Sequence, residues 1–143
     1  MIKIEAIDHI VLRVSDLARM LDFYCGVLGC ELERELPELG LTQLRAGEAL
    51  IDLVTVSGEL GKAGGRAPAA EGRNLDHLCL RITETAEEDL TCYLESRGVA
   101  VPGFAKRYGA QGFGQSVYIE DPEGNMVELK FAVSNRALSS ENI

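Results

Sequence analysis

Ile7-Asp8-His9-Ile10-Val11-Leu12-Arg13-Val14-Ser15-Asp16 returns 68 positions later as Leu75-Asp76-His77-Leu78-Cys79-Leu80-Arg81-Ile82-Thr83-Glu84. Every position is identical or chemically similar except Val11 against Cys79. Both copies alternate with a period of two, the signature of a half-buried strand. A helical pattern follows each. Leu17, Met20, Leu21, Tyr24 and Leu28 share one face of the first, with Ser15 as N-cap and Gly29 as terminator. Leu90, Tyr93 and Leu94 form the second stripe, with Thr85 and Glu88 as a capping box and Gly98 closing it. Strand-like runs then occupy 31–36, 41–46 and 49–56 in the first copy, and 104–107, 115–120 and 126–132 in the second. Each copy is therefore predicted to be β-α-β-β-β, and the fold class α+β.

The modules are predicted over 5–57 and 75–132, as one domain over 1–132. Gly58, Gly61, Gly64, Gly65 and Gly72 mark 58–74 as a flexible Gly/Ala-rich linker, and 133–143 lacks periodicity and is expected to be a tail.

Alternation decides which side chains share a face. Ile10, Leu12 and Val14 oppose His9, Val11 and Arg13; Leu78, Leu80 and Ile82 oppose His77, Cys79 and Arg81. The all-aliphatic faces belong under the helices. On the mixed faces stand four potential metal ligands, His9, Asp52, His77 and Glu128, together with the polar stripe Ser116, Tyr118 and Glu120. A mixed sheet with polar groups on its concave face and helices on its convex face makes a partly closed cup, a shape suited to a small-molecule ligand. Asp8 and Asp76 fall on the opposite face and are read as structural. Gly109, Gly112 and Gly114 lack the strand–helix context of a phosphate loop and are read as a flap over the cup.

Composition narrows the function classes. The chain has 143 residues, a net charge of −9 and basic residues scattered singly, which argues against a nucleic-acid partner. No apolar run approaches the roughly 18 residues of a membrane span, and the N-terminus lacks a signal-peptide pattern. Cys25, Cys30, Cys79 and Cys92 show no C-x-x-C pairing and are read as reduced thiols. A cytoplasmic protein is the expectation.

The paired D-H-h-x-L-R strands are joined by two further motifs. Phe23-Tyr24-Cys25-Gly26-Val27-Leu28-Gly29 ends the first helix, and Asp121-Pro122-Glu123-Gly124-Asn125-Met126-Val127-Glu128-Leu129 forms a hairpin. With these motifs the chain resembles the vicinal oxygen chelate superfamily, which holds glyoxalase I, extradiol dioxygenases, fosfomycin-resistance thiol transferases and bleomycin-binding proteins. The resemblance implies two modules forming a cup around one divalent metal ion, usually in a homodimer. It implies His9, His77 and Glu128 as ligands, with Asp52 at the position of a fourth. That donor set suits Ni, Co, Zn, Mn or Fe(II).

The resemblance also implies a reaction class. A glyoxalase-like lyase or isomerase would act on a small oxygen-rich substrate, with Glu128 as general base. Arg13, Arg81, Arg107 and Tyr118 are the candidate substrate contacts; each has a plainer alternative as surface charge or core residue. Arg13 matches the glyoxalase I contact to the glycyl carboxylate of glutathione, but Val56 stands where that enzyme has an asparagine, so a different thiol or an α-oxo acid stays open. Ring-cleaving dioxygenation with Fe(II) is the second enzyme class, although it employs a further histidine and this chain has only two. A non-catalytic, antibiotic-binding module is the third reading.

Overall fold

The computed structural model describes residues 1–133; all but the first residue of the expected tail lies outside the described residues. The chain divides into two compact units, Met1–Arg73 and a second beginning at Asn74. The first contains β1 (His9–Val14), α1 (Leu17–Leu21), β2 (Glu31–Leu36), β3 (Leu41–Ala46) and β4 (Ala49–Thr55). The second contains β5 (His77–Ile82), α2 (Glu87–Ser96), β6 (Phe104–Gly109), β7 (Gly112–Glu120) and β8 (Met126–Phe131). The chain is α+β, with two four-stranded mixed sheets of order β1-β4-β3-β2 and β5-β8-β7-β6. Neither sheet closes into a barrel. Among the described residues no helix is long and apolar enough to cross a membrane.

The topology follows from connection length. Strands β2, β3 and β4 are joined by short turns and pair antiparallel, whereas β1 pairs parallel with β4 across the crossover that contains the helix. Strand β5 pairs with β8 in the same way. The aliphatic faces supply the cores. Val14, Met20, Tyr24, Leu44 and Leu53 are fully buried in the first unit, and Leu94, Val117, Ile119 and Val127 in the second. Truncating any one of the large members to alanine costs about 2–5 kcal/mol.

Local details correct the sequence reading. The first helix is capped by Asp16, whose carboxylate accepts the Arg19 N–H at 3.1 Å, and not by Ser15. The helix then widens into a π-helical turn over Asp22–Val27, which buries Phe23 beside Tyr24, their rings edge to face at 5.0 Å. Gly29 ends it with φ of 78°. Helix α2 begins later than its expected capping box, with Ala86 at the cap and no side-chain bond; Glu87, Glu88 and Asp89 face the positive end of its dipole instead. Of its stripe only Leu94 is buried, and Tyr93 lies exposed beneath the Arg97 guanidinium.

Two loops also differ. Gly109, Gly112 and Gly114 lie in a regular hairpin: β6 and β7 run on to a tight turn in which Gly109 pairs with Gly112 and Arg107 with Gly114. The stretch read as a flexible linker is fastened along its first part. The Leu60 N–H donates to the Leu39 carbonyl and Lys62 to Gly58, and Gly61–Gly64 forms a 3₁₀ turn.

Candidate functional site

In the first unit His9 opens β1, and its Nδ1 lies 2.6 Å from Asp8 Oδ1. This hydrogen bond raises the imidazole pKa; burial opposes it, and the charges of Asp52 and Asp8 add to it. Asp52 sits on the mixed face of β4, only 4% exposed. Its Oδ2 accepts from Gln43 Nε2 at 3.1 Å across the β3–β4 pair, while its buried Oδ1 has no hydrogen-bond partner among the described residues.

Arg13, whose family position implies a substrate contact, is engaged by backbone carbonyls of its own unit. Its Nε donates to the Gly61 carbonyl at 2.9 Å, and its two terminal nitrogens to Arg66 at 3.0 Å and Gly65 at 2.6 Å. The guanidinium thus clamps the loop that composition marks as flexible.

In the second unit His77 opens β5, with Nδ1 2.7 Å from Asp76 Oδ2. Strand alternation predicts both aspartates on the opposite face. Each precedes the first strand residue, so alternation does not govern it, and its carboxylate curls back to the imidazole. In both copies the neighbouring carboxylate holds Nδ1 and leaves Nε2 as the available nitrogen.

Glu128 is carried by β8, whose entry is fixed by the Asp121 turn. Asp121 Oδ1 accepts the backbone N–H of Glu123 and Asn125, both at 2.9 Å, and Oδ2 accepts from Asn125 Nδ2 at 2.7 Å. The resulting register places Glu128 between Cys79 on β5 and Tyr118 on β7. Burial pushes the Glu128 carboxyl up, but hydrogen bonds from Cys79 and Tyr118, with the charges of His77 and Arg107, outweigh it and hold it below the usual range. The partners respond in the opposite sense. Burial and then the Glu128 hydrogen bond push the Cys79 thiol up to about 12, and the Glu128 hydrogen bond raises the Tyr118 phenol. Tyr118 also meets the His77 ring edge to face at 5.1 Å and carries the Arg107 guanidinium 4.7 Å above its own ring.

These groups line a cleft of about 730 Å³ confined to the second unit, together with Arg81 and Lys130. The structure therefore brings His77, Glu128, Tyr118, Arg81 and Arg107 onto one cleft, and His9 and Asp52 within electrostatic reach of each other in the first unit. Within either unit, among the described residues, no three His, Cys, Asp or Glu side chains converge as a metal site. Sequence reasoning missed Cys79 and Lys130 as cleft residues. The signal was present for Cys79, which shares the mixed face with His77; pairing it with Glu128 required the parallel register.

Comparisons with known proteins agree with this architecture. The chain is 32% identical over 127 residues to virulence protein STM3117 of Salmonella typhimurium, spanning 88% of this chain and 83% of that protein. An integron cassette protein from the V. cholerae mobile metagenome superposes with a TM-score of 0.71 at 31% identity, covering 93% of this chain and 99% of the other. Lactoylglutathione lyase from Agrobacterium tumefaciens superposes with a TM-score of 0.63 at 26% identity, covering 89% and 93%. The family model of the Glyoxalase/Bleomycin resistance protein/Dioxygenase superfamily matches residues 6–129, nearly the whole of both β-α-β-β-β units. The chain belongs to that superfamily.

Proposed function

We propose that the protein is a divalent-metal-dependent, glyoxalase-like enzyme of lyase or isomerase type, acting on a small oxygen-rich substrate. The observation that carries this reading is the duplicated aspartate–histidine pair. A metal-ligating imidazole commonly donates its second N–H to a carboxylate, which fixes the tautomer and ring orientation. His9 and His77, the only histidines of the chain, are both held in this way.

The donors present fit such a metal. They comprise two imidazoles and the Glu128 carboxylate, with Asp52 as the fourth candidate; the buried Asp52 Oδ1, without a partner among the described residues, is an acceptor in want of a donor or a cation. When bound, the metal would supply positive charge beside the substrate oxygens, where negative charge develops.

The chain's own residues do the rest. Tyr118 and Cys79 keep Glu128 ionised near neutral pH, which favours its role as ligand. For Glu128 to take a proton from carbon next to a carbonyl, those two hydrogen bonds must loosen, since they lower its basicity. Arg107 and Arg81 are the substrate contacts on the cleft, and a homodimer is the proposed assembly.

The test is metal addition to EDTA-treated protein. Ni, Co, Mn, Zn or Fe(II) should raise the melting temperature, and His77→Ala should abolish the rise. No rise with any of the five, or a rise that survives His77→Ala, overturns the assignment. A hemithioacetal assay run beside a catechol assay then separates the glyoxalase reading from ring cleavage.

A further inference from the structure

Lys130 is 6% exposed on the cleft face of β8, and no acceptor among the described residues reaches its Nζ. Even partial desolvation of an ammonium without a hydrogen-bonded counter-charge is costly. Its cross-strand neighbours deepen the puzzle. On one side stands Arg81, a second cation directly opposite and likewise without a hydrogen bond or ion pair among the described residues. On the other stands Ser116, whose hydroxyl is buried and has no partner among the described residues. Like charges directly opposite on neighbouring strands repel.

The hairpin is shaped around this lysine. A Cβ at Gly114 would lie 2.7 Å from Lys130 Nζ, and one at Gly109 would lie 3.1 Å from its Cε. The two glycines leave a slot through which the stem passes beneath β6 and β7. Arg107, paired with Gly114, brings a third cation to the same cleft. In a chain of net charge −9 this gathering is not a sample of the average surface.

We infer that Lys130, Arg81 and Arg107, with the Ser116 hydroxyl, form an oxyanion subsite in the second unit. It takes a carboxylate or phosphoryl group of a small molecule, two residues beyond Glu128 on the same face. An anion placed between Lys130 and Arg81 turns their repulsion into two charge-assisted hydrogen bonds. The role of this anion as part of the substrate rests on the proposed function; the subsite itself needs no metal.

The experiment uses the full chain held in EDTA and titrated with inorganic phosphate or with malonate, ionic strength matched by sodium chloride. One or both anions should raise the melting temperature saturably above the chloride control, the stronger identifying a phosphoryl or a carboxylate ligand. Lys130→Met and Arg81→Gln should each weaken the apparent affinity at least about tenfold. Arg34→Gln on β2, an equal loss of charge, should leave it unchanged. Arg81 is exposed, so its variant gives the answer even if Lys130→Met folds poorly. No saturable rise with either anion, or a rise of equal affinity in Arg81→Gln, overturns the subsite. Because EDTA is present throughout, such a failure leaves the metal test intact, and a failed metal test leaves the anion titration intact.

Discussion

Asp76 Oδ2 lies 2.7 Å from His77 Nδ1, between residues adjacent in sequence, and Asp8 repeats the contact to His9 at 2.6 Å. The Asp76 side chain is 97% exposed and that of Asp8 is 91% exposed, so neither pair is a plausible source of fold stability. Their recurrence at the first residue of the first strand in both units points to the imidazoles they orient.

Asp76→Asn should therefore separate stability from metal affinity. In EDTA its melting temperature should match that of the parent. Isothermal titration with the metal that stabilises the parent best should give a dissociation constant about 10–100-fold weaker, the usual effect of removing a carboxylate behind a ligating histidine. Equal affinities would show that Asp76 does not orient a ligand.

The Glu33–Arg45 pair gives a prediction with a defined sign. Glu33 accepts from Arg45 at 3.0 and 3.3 Å across β2 and β3. The hydrogen bond, and then the charge of Arg45, hold the Glu33 carboxyl below the usual glutamate range. A carboxyl depressed on folding adds stability above its unfolded value, and this is lost as pH falls through the folded one. The urea midpoint of the parent should thus exceed that of Glu33→Gln at pH 7, and the gap should close below about pH 4. High salt should shrink it, as both groups are solvated. A gap that widens in acid would reverse the assignment.

What the sequence made legible was whatever obeys a period. Strand alternation placed Leu12, Val14, Val127 and Leu129 inward, and the 68-residue offset announced the second unit. Features set by a single local competition were not legible. Ser15 and Asp16 are both good caps, and backbone geometry chose Asp16. Arg13 sits on the expected strand, but its partners, Gly61, Gly65 and Arg66, lie about fifty residues away across a loop that composition marks as loose. Lys130 looks like any strand lysine until the register sets it against Arg81 and the hairpin glycines leave room for its stem.

Cys30 offers a chemical probe of packing in the first unit. Burial, and then neighbouring Cys25, push its thiol up to about 11. At pH 8 only about 0.1% of it is thiolate, the reactive form. Alkylation by iodoacetamide, followed by peptide mass spectrometry, should accelerate roughly tenfold per pH unit from 8 to 10. In urea at pH 8 the same cysteine should react at least about 100-fold faster. A rate at pH 8 unchanged by unfolding would mean that the thiol is not held up by burial.

Two glycines of the first unit should respond to alanine with opposite signs. A Cβ at Gly61 would fall 1.8 Å from the backbone carbonyl oxygen of Thr55, a contact no side-chain rotation relieves. Gly61→Ala must displace the 3₁₀ turn that Arg13 clamps, and should destabilise by about 1–3 kcal/mol or more. At Gly26, inside the π-helical turn, a Cβ would meet nothing within 4 Å and the backbone does not need a positive φ. Gly26→Ala should therefore stabilise by about 0.4–1 kcal/mol, through the lower entropy of the unfolded chain. Denaturant midpoints measured with unchanged m-values check both. If Gly61→Ala proved neutral, the close approach of its loop to β4 would be wrong, and with it the clamp assigned to Arg13.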